Sequence, residues 1–129
     1  LIGCGSAWDK RLTCDGTEGW SNLTTLDYNK DHGAEVTWNL MDLPLPFNAD
    51  TFDEIHAYEI LEHLHQQGDW KAFFAEWTEY WRVMKPLGLF FLMCPSYKSA
   101  WAWGDRGCSP TLCWGITEVA HTRGTRVLE

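Results

Sequence analysis

The steadiest recurrence of apolar positions runs from Asp69 to Met84, where Trp70, Phe73, Phe74, Trp77, Trp81 and Met84 follow at spacings of three and four. That period lays one apolar stripe along an α-helix, and a stripe this aromatic is expected to face the core. Asp69 stands where an N-cap belongs, with a short acceptor for an orphan N–H of the first turn. Lys85-Pro86-Leu87-Gly88 then ends the helix, because proline has no N–H and does not fit a helix interior. Leu89 to Cys94 (LFFLMC) is continuously apolar, the pattern of a strand covered on both faces.

Upstream the pattern breaks into shorter pieces. Leu1 and Ile2 read as the end of a strand, as if the chain were cut within it, and they lead into Gly3-Cys4-Gly5-Ser6, a turn that needs glycine freedom. Trp8 to Trp20 contain Thr13, Gly16, Thr17 and Gly19, poor helix formers, so a loop is expected where a βαβ unit would place a helix. Strands are expected at Leu23 to Tyr28, closing on Asp27, and around Glu35 to Leu40, followed by the rigid turn Leu43-Pro44-Leu45-Pro46-Phe47 and a loop at Asn48-Ala49-Asp50. Phe52 to Tyr58 (FDEIHAY) gives a fourth strand, and Glu59 to His65 starts a helix or turn. Beyond Pro95 the pattern predicts no element. Strands alternating with helical segments predict an α/β fold, a mostly parallel open sheet flanked by helices, in one domain over residues 1–129.

Composition narrows the function classes. A chain of 129 residues with 45% hydrophobic content builds one core, which excludes a two-domain enzyme. Ten Lys plus Arg against 18 Asp plus Glu leave a net charge of −8, so attraction to nucleic-acid phosphates or anionic membranes is weak. No window approaches the roughly 18 to 20 apolar residues of a membrane span, and the first residues lack a signal-peptide layout, so a cytoplasmic protein is expected. Five cysteines without CxxC spacing fit reduced thiols. Nine Trp exceed what one core needs; Trp101, Trp103 and Trp114, outside any periodic helix, are candidates to stack an aromatic or cationic acceptor or to cover an open sheet edge. A shortened sheet with such an edge would favour a homodimer.

A glycine turn after a first strand and an acid closing a second are what a doubly wound fold uses to hold a nucleoside: backbone approaches closely at glycine, and the carboxylate accepts ribose hydroxyls. Gly3, Gly5 and Asp27 fill these places, with Asp27 about 20 residues beyond the turn, as such a site needs. A dinucleotide site wants a third glycine under the pyrophosphate, and Trp8 stands there. The turn therefore suits a nucleoside ligand without phosphates, such as S-adenosylmethionine, better than the nicotinamide cofactor of an oxidoreductase. His63-x-His65 and Cys108-x4-Cys113 with His121 fit no standard zinc spacing, so no metal site is expected.

Leu1-Ile2-Gly3-Cys4-Gly5-Ser6, Leu26-Asp27, Asn39-Leu40 with Leu45-Pro46-Phe47, Thr51 to Ala57 (TFDEIHA), Glu59 to Leu64 (EILEHL) and Trp81 to Leu89 (WRVMKPLGL) stand in an order and spacing that resemble a class I S-adenosylmethionine-dependent methyltransferase of the small type-11-like group, over residues 1 to 96. The resemblance implies a Rossmann-like sheet, S-adenosylmethionine as cofactor and methyl transfer to an acceptor, here a small molecule. It implies that Gly3, Cys4, Gly5 and Ser6 face the methionine moiety, that Asp27 holds the ribose hydroxyls, and that Tyr28 lies beside the adenine. Asn39 occupies the place of an acid that contacts the adenine amino group, and Leu40 would offer its backbone amide to a ring nitrogen. Tyr58 and Glu59 would border the sulfonium and the acceptor pocket, with His63 one turn further on.

Several positions depart from the family. The acid usually found before the glycine turn has no counterpart, because the chain begins at Leu1. Leu87 replaces the first glycine of a Pro-Gly-Gly turn, leaving Gly88 to take a positive φ. The family's last two strands, an antiparallel hairpin at the sheet edge, are not visible before Glu129, as in a chain truncated at both ends. In-line methyl displacement depends chiefly on alignment, and a general base helps only a protonated acceptor. His63 and His121 are the candidate bases, ahead of Glu59 and Glu62; His121 lies in Ala120-His121-Thr122-Arg123, which resembles a segment that follows a Trp-Gly-Asp string, here Trp103-Gly104-Asp105, in related enzymes. The rival reading is a catalytically inert or truncated methyltransferase fold kept as a binding module.

Overall fold

The computed structural model describes residues 1–14, 16, 19–66, 68–95 and 119–122, the last four as backbone. Among the described residues, five strands and one α-helix make a mixed α/β structure: β1 (Leu26–Asp27), β2 (Val36–Thr37), β3 (Phe52–Tyr58), α1 (Trp70–Val83), β4 (Met84–Met93) and β5 (Val119–Thr122). β1 and β2 pair in parallel, β3 and β4 pair in parallel, and β5 runs antiparallel to β4. Ile2 joins the two sets through isolated parallel bridges to Leu26 on one side and Ala57 on the other. Across the sheet the order is therefore β2, β1, Ile2, β3, β4, β5.

The two short strands stop where side chains offer the backbone better partners than a ladder. Asn29 accepts the N–H of Asp31 and caps a 3-10 turn at Lys30–His32, which ends β1. Beyond Thr37, Asn39 accepts the N–H of Met41 and the Trp38 indole donates to the Asp42 carbonyl, so the chain curls away from the extended run expected to Leu40. Glu59 to His65 forms a 3-10 turn at Leu61–His63 rather than a helix.

One face of the sheet carries α1. Asp69 caps it as expected, its carboxylate accepting the N–H of Ala72 at 3.1 Å. Ile55, Ala57, Phe90 and Leu92 pack with Leu26, Tyr80 and Val83 in a single core; each of the larger aliphatic and Phe side chains contributes about 1.5–3 kcal/mol by leaving water. The turn Leu43 to Phe47 docks on the helix end, where Arg82 donates to the carbonyls of Leu45 and Phe47 and Glu79 accepts the N–H of Leu45.

The helix faces the core along a different line from the one its apolar period suggests. Its buried residues are Glu76, Tyr80 and Val83, whereas Trp70, Phe74 and Trp81 are 63%, 61% and 43% exposed. Tyr80 and Val83 lie about 80° and 140° around the helix from Trp70. Only Phe73 and Trp77, half-buried at the boundary, serve both faces; Trp77 packs its ring on Phe90 at 4.9 Å. The rotation is possible because the buried polar groups satisfy one another: Tyr80 donates to Glu76, and the other carboxylate oxygen of Glu76 meets His65 Nε2 at 2.8 Å. Burial raises the pKa of Glu76 despite these partners.

Lys85 to Gly88 belongs to β4, as a bulge. Phe52 pairs with Met84 and Glu54 with Leu89, so two steps on β3 oppose five on β4. The positive φ of this bulge falls on Leu87, at 66°, and not on Gly88. Glycine is needed at 88 for a different reason, since a Cβ there would lie 2.5 Å from Met84 Cγ and 2.9 Å from the Lys85 carbonyl oxygen. The antiparallel β5 is an element that the pattern does not predict. Among the described residues, no helix is long and apolar enough to cross a membrane.

Candidate functional site

Ile2 is held between β1 and β3 by hydrogen bonds from its N–H to the His56 carbonyl and from the Leu26 N–H to the Leu1 carbonyl, both 2.9 Å. The glycine turn consequently leaves the sheet between the C-terminal ends of β1 and β3. Gly3 takes φ +58° with the Ile60 side chain packed where its Cβ would be, 2.2 Å from Cγ1. Gly5 takes φ +51°, and the direction of its missing Cβ is open, with no atom within 4 Å. The first glycine is thus fixed by packing, the second by its backbone and by open space beside it.

Asp27 closes β1 and holds this turn. Its Oδ2 accepts the N–H of Gly5 at 2.8 Å, its Oδ1 accepts the N–H of Asn29 at 2.8 Å, and His32 Nδ1 stands 3.1 Å from Oδ1. The residue is only 4% exposed. Burial pushes its pKa up, yet the N–H groups of Asn29 and Gly5 and the His32 ring outweigh it and hold the carboxyl below the usual range. Beside it, burial and then the Asp27 charge push the Cys4 thiol up, so Cys4 is a protonated packing residue. Trp8, which stands in the place of a third glycine, donates its indole N–H to the Gly5 carbonyl at 3.0 Å and so closes the turn.

The remaining predicted residues spread along the same end of the sheet. Ser6 and Tyr28 are exposed beside the turn and beside Asp27. Asn39 and Leu40 follow β2, the Asn39 side-chain oxygen engaged by Met41 and the Leu40 side chain buried in the core. Tyr58 ends β3, buried, its hydroxyl oxygen accepting the N–H groups of Arg11 at 3.2 Å and Leu12 at 3.3 Å. Glu59 follows, exposed, with φ 54° and its N–H bonded to the Met93 carbonyl. His63 is exposed at the end of the 3-10 turn, its Nε2 3.8 Å from Glu62 Oε1.

His121 lies apart from this group. Its backbone is in register with Phe90, which is in register with Ile55, so it sits three residues short of Tyr58 along the strand direction. It is four strand positions from β1, roughly 19 Å at the usual spacing. Trp101, Trp103, Cys108, Cys113 and Trp114 lie outside the described residues.

Residues that the pattern did not single out join the site from beneath. Glu54, His56 and Tyr58 alternate along β3 and so share one face. His56 Nε2 meets Glu54 Oε2 at 2.8 Å, and its Nδ1 meets the Tyr58 hydroxyl at 2.6 Å. Lys10 Nζ reaches the same Glu54 oxygen at 3.0 Å. The signal was present in Glu54-x-His56-x-Tyr58, a polar series at period two that alternates with the apolar Ile55 and Ala57. A cavity of about 680 Å³ lies at the other end of these strands, lined by Lys10, Trp20, Thr24, Thr51 and Glu54, away from the glycine turn.

Taken as chemistry, the arrangement offers a rigid backbone turn with open space at Gly5 and an ionised carboxylate that fixes it. It can hold a small polar ligand at the strand ends. Comparison of the chain with protein-family models, with curated proteins and with solved structures finds no match in any of the three.

Proposed function

We propose that this chain is an S-adenosylmethionine-dependent methyltransferase domain of Rossmann-like fold that transfers a methyl group to a small-molecule acceptor. The observation that carries the reading is the 2.8 Å hydrogen bond from Gly5 to Asp27, which joins a glycine turn and an acid at the C-terminal ends of neighbouring parallel strands, the place where open α/β sheets bind nucleosides. The strand order, with Ile2 central and an antiparallel β5 beside β4, supports the same reading. The open space at Gly5 fits the group, since among the described residues nothing beyond the adjoining chain stands within 4 Å of where a Cβ would be.

Gly3 to Ser6, Asp27, Tyr28, Asn39, Leu40, Tyr58 and Glu59 would hold the cofactor, which supplies an electrophilic methyl on a sulfonium. The chain's own part is binding, alignment and exclusion of water, which is where an in-line displacement gains most of its rate. His63, exposed one turn after Glu59, is the candidate to take a proton from the acceptor. The acidic balance of the chain favours a small acceptor over a nucleic acid.

One observation favours the rival, a non-catalytic methyltransferase fold: both Asp27 oxygens already accept internal N–H groups, so the ribose hydroxyls would have to use their second lone pairs. Calorimetric titration with S-adenosylmethionine and with its demethylated product, with Asp27→Ala as control, tests the two. Micromolar binding lost in the control supports the enzyme; folded protein that binds neither ligand sinks it and favours the inert module.

A further inference from the structure

Among the described residues, the sheet face turned away from α1 is covered by the irregular stretch from Trp8 to Leu12 together with Trp20, and three residues of β3 fasten it. Trp8 donates to Gly5, and the Trp20 indole donates to the Trp8 carbonyl at 2.6 Å. The Trp20 ring makes a T-shaped contact with His56 at 4.8 Å, while Phe91 stacks on the His56 ring at 4.3 Å. Lys10 pairs with Glu54 and lies over the Trp20 ring, and the Arg11 guanidinium lies over the Tyr58 ring. The main-chain anchor is Tyr58, whose hydroxyl takes the N–H groups of Arg11 and Leu12.

The hydrogen-bond inventory assigns the protons. The phenol oxygen spends its lone pairs on two N–H donors, so its own proton must go to His56 Nδ1. An ionised Glu54 only accepts, so His56 carries its proton on Nε2. The series is complete with neutral His56, which is 1% exposed. A second proton, on Nδ1, would give the phenol oxygen three donors for two lone pairs and leave its hydroxyl proton without an acceptor.

We propose that Glu54 and His56 are positioning residues for the ligand site, acting through Tyr58 to seat the Arg11–Leu12 segment beside the glycine turn when His56 is neutral. Their purpose rests on the cofactor reading of that turn; the seating itself does not. Among the described residues, the charged or titratable groups facing His56 are Glu54 and Tyr58 on its own strand, Lys10 on the covering segment and the Leu1 amino group, while Phe91 and Trp20 present only rings. Burial has the largest effect and holds the His56 pKa below its ordinary value, although Glu54 pulls the other way. The segment is therefore fully seated above about pH 6.5, the value of a free imidazole, and released as pH falls through the lowered one.

Amide hydrogen exchange of Arg11 and Leu12, corrected for intrinsic rates, reads the seating directly. In the wild type both amides are protected at pH 7.5 and lose roughly fivefold or more per bond toward pH 5. Tyr58→Phe removes that protection at every pH while the Leu26 and Val36 amides keep theirs, and it weakens S-adenosylmethionine binding about fivefold or more. Glu54→Gln keeps an acceptor for Nε2–H but drops the charge, and so moves the midpoint to lower pH. Protection of Arg11 and Leu12 that ignores both pH and Tyr58→Phe overturns the proposal, as does protection lost in Tyr58→Phe with affinity unchanged. A wild-type chain that binds no S-adenosylmethionine sinks the cofactor reading, and the exchange data alone then decide the seating.

Discussion

Replacing Asp27 by Asn keeps the shape of the side chain and removes one acceptor. In the native chain each oxygen takes a backbone N–H at 2.8 Å, from Gly5 and from Asn29, at a residue that is 4% exposed. An amide must turn its NH2 toward one of those donors, and no rotation avoids the conflict. The loss of a charge-assisted bond is worth about 1.5–3 kcal/mol and a buried N–H left without a partner about 1–3 kcal/mol, two views of one event rather than a sum. We expect a loss of about 2–3 kcal/mol, or a fall in Tm of about 6–18 °C for a domain of this size. The acid limb changes too. Asp27 has a folded pKa below its unfolded one, so its contribution is complete above about pH 3.9 and is lost as pH falls through the folded value. Urea unfolding from pH 7 down to pH 3 should show the variant losing less stability than the wild type over that range. An Asp27→Asn chain within about 0.5 kcal/mol of the wild type at pH 7, with the same acid limb, refutes the argument that Asp27 anchors the turn.

Two further outcomes separate packing from exposure. Gly3→Ala meets both a left-handed backbone and the Ile60 side chain, so it should cost about 2–4 kcal/mol in urea unfolding, whereas Gly5→Ala, with open space around it, should cost about 1 kcal/mol and show its effect as weaker ligand binding. Trp70→Ser should change stability by less than about 1 kcal/mol, against the 3–5 kcal/mol that a core tryptophan would lose; a large loss would restore the helix face inferred from its apolar period.

The elements most readable from the sequence are those whose local pattern and tertiary role agree. FDEIHAY is strand in both sequence and structure, and Asp69 caps the helix that its period predicts. The glycine turn and Asp27 were readable as a pair because each answers to local backbone chemistry, although nothing in the sequence says that they bond to each other. Apolar period failed to orient α1, since it counts Glu76 as polar and cannot know that Tyr80 and His65 satisfy it inside. The bulge at Leu87 escaped notice because a proline and a glycine read as a break, and only the pairing of Phe52 with Met84 shows the strand already running. β5 escaped because four residues carry too little pattern, and their pairing to Leu89 to Leu92 is wholly non-local.

The two faces of the sheet are held by different physics, and this bears on how the site can change. Toward α1 the contacts are chiefly apolar, with Ile55, Phe90, Tyr80 and Val83 in one cluster and the Glu76 carboxylate held inside by Tyr80 and His65. Toward the Trp8 segment they run through Lys10, Glu54, His56 and Tyr58, a polar series joined by one ion pair and two hydrogen bonds. A segment of poor helix formers gains no ladder of its own, so its order depends on such side-chain anchors. A proton added to His56 therefore acts on the seating of Arg11 and Leu12 beside the glycine turn, whereas Asp27 ties that turn to the stability of the fold.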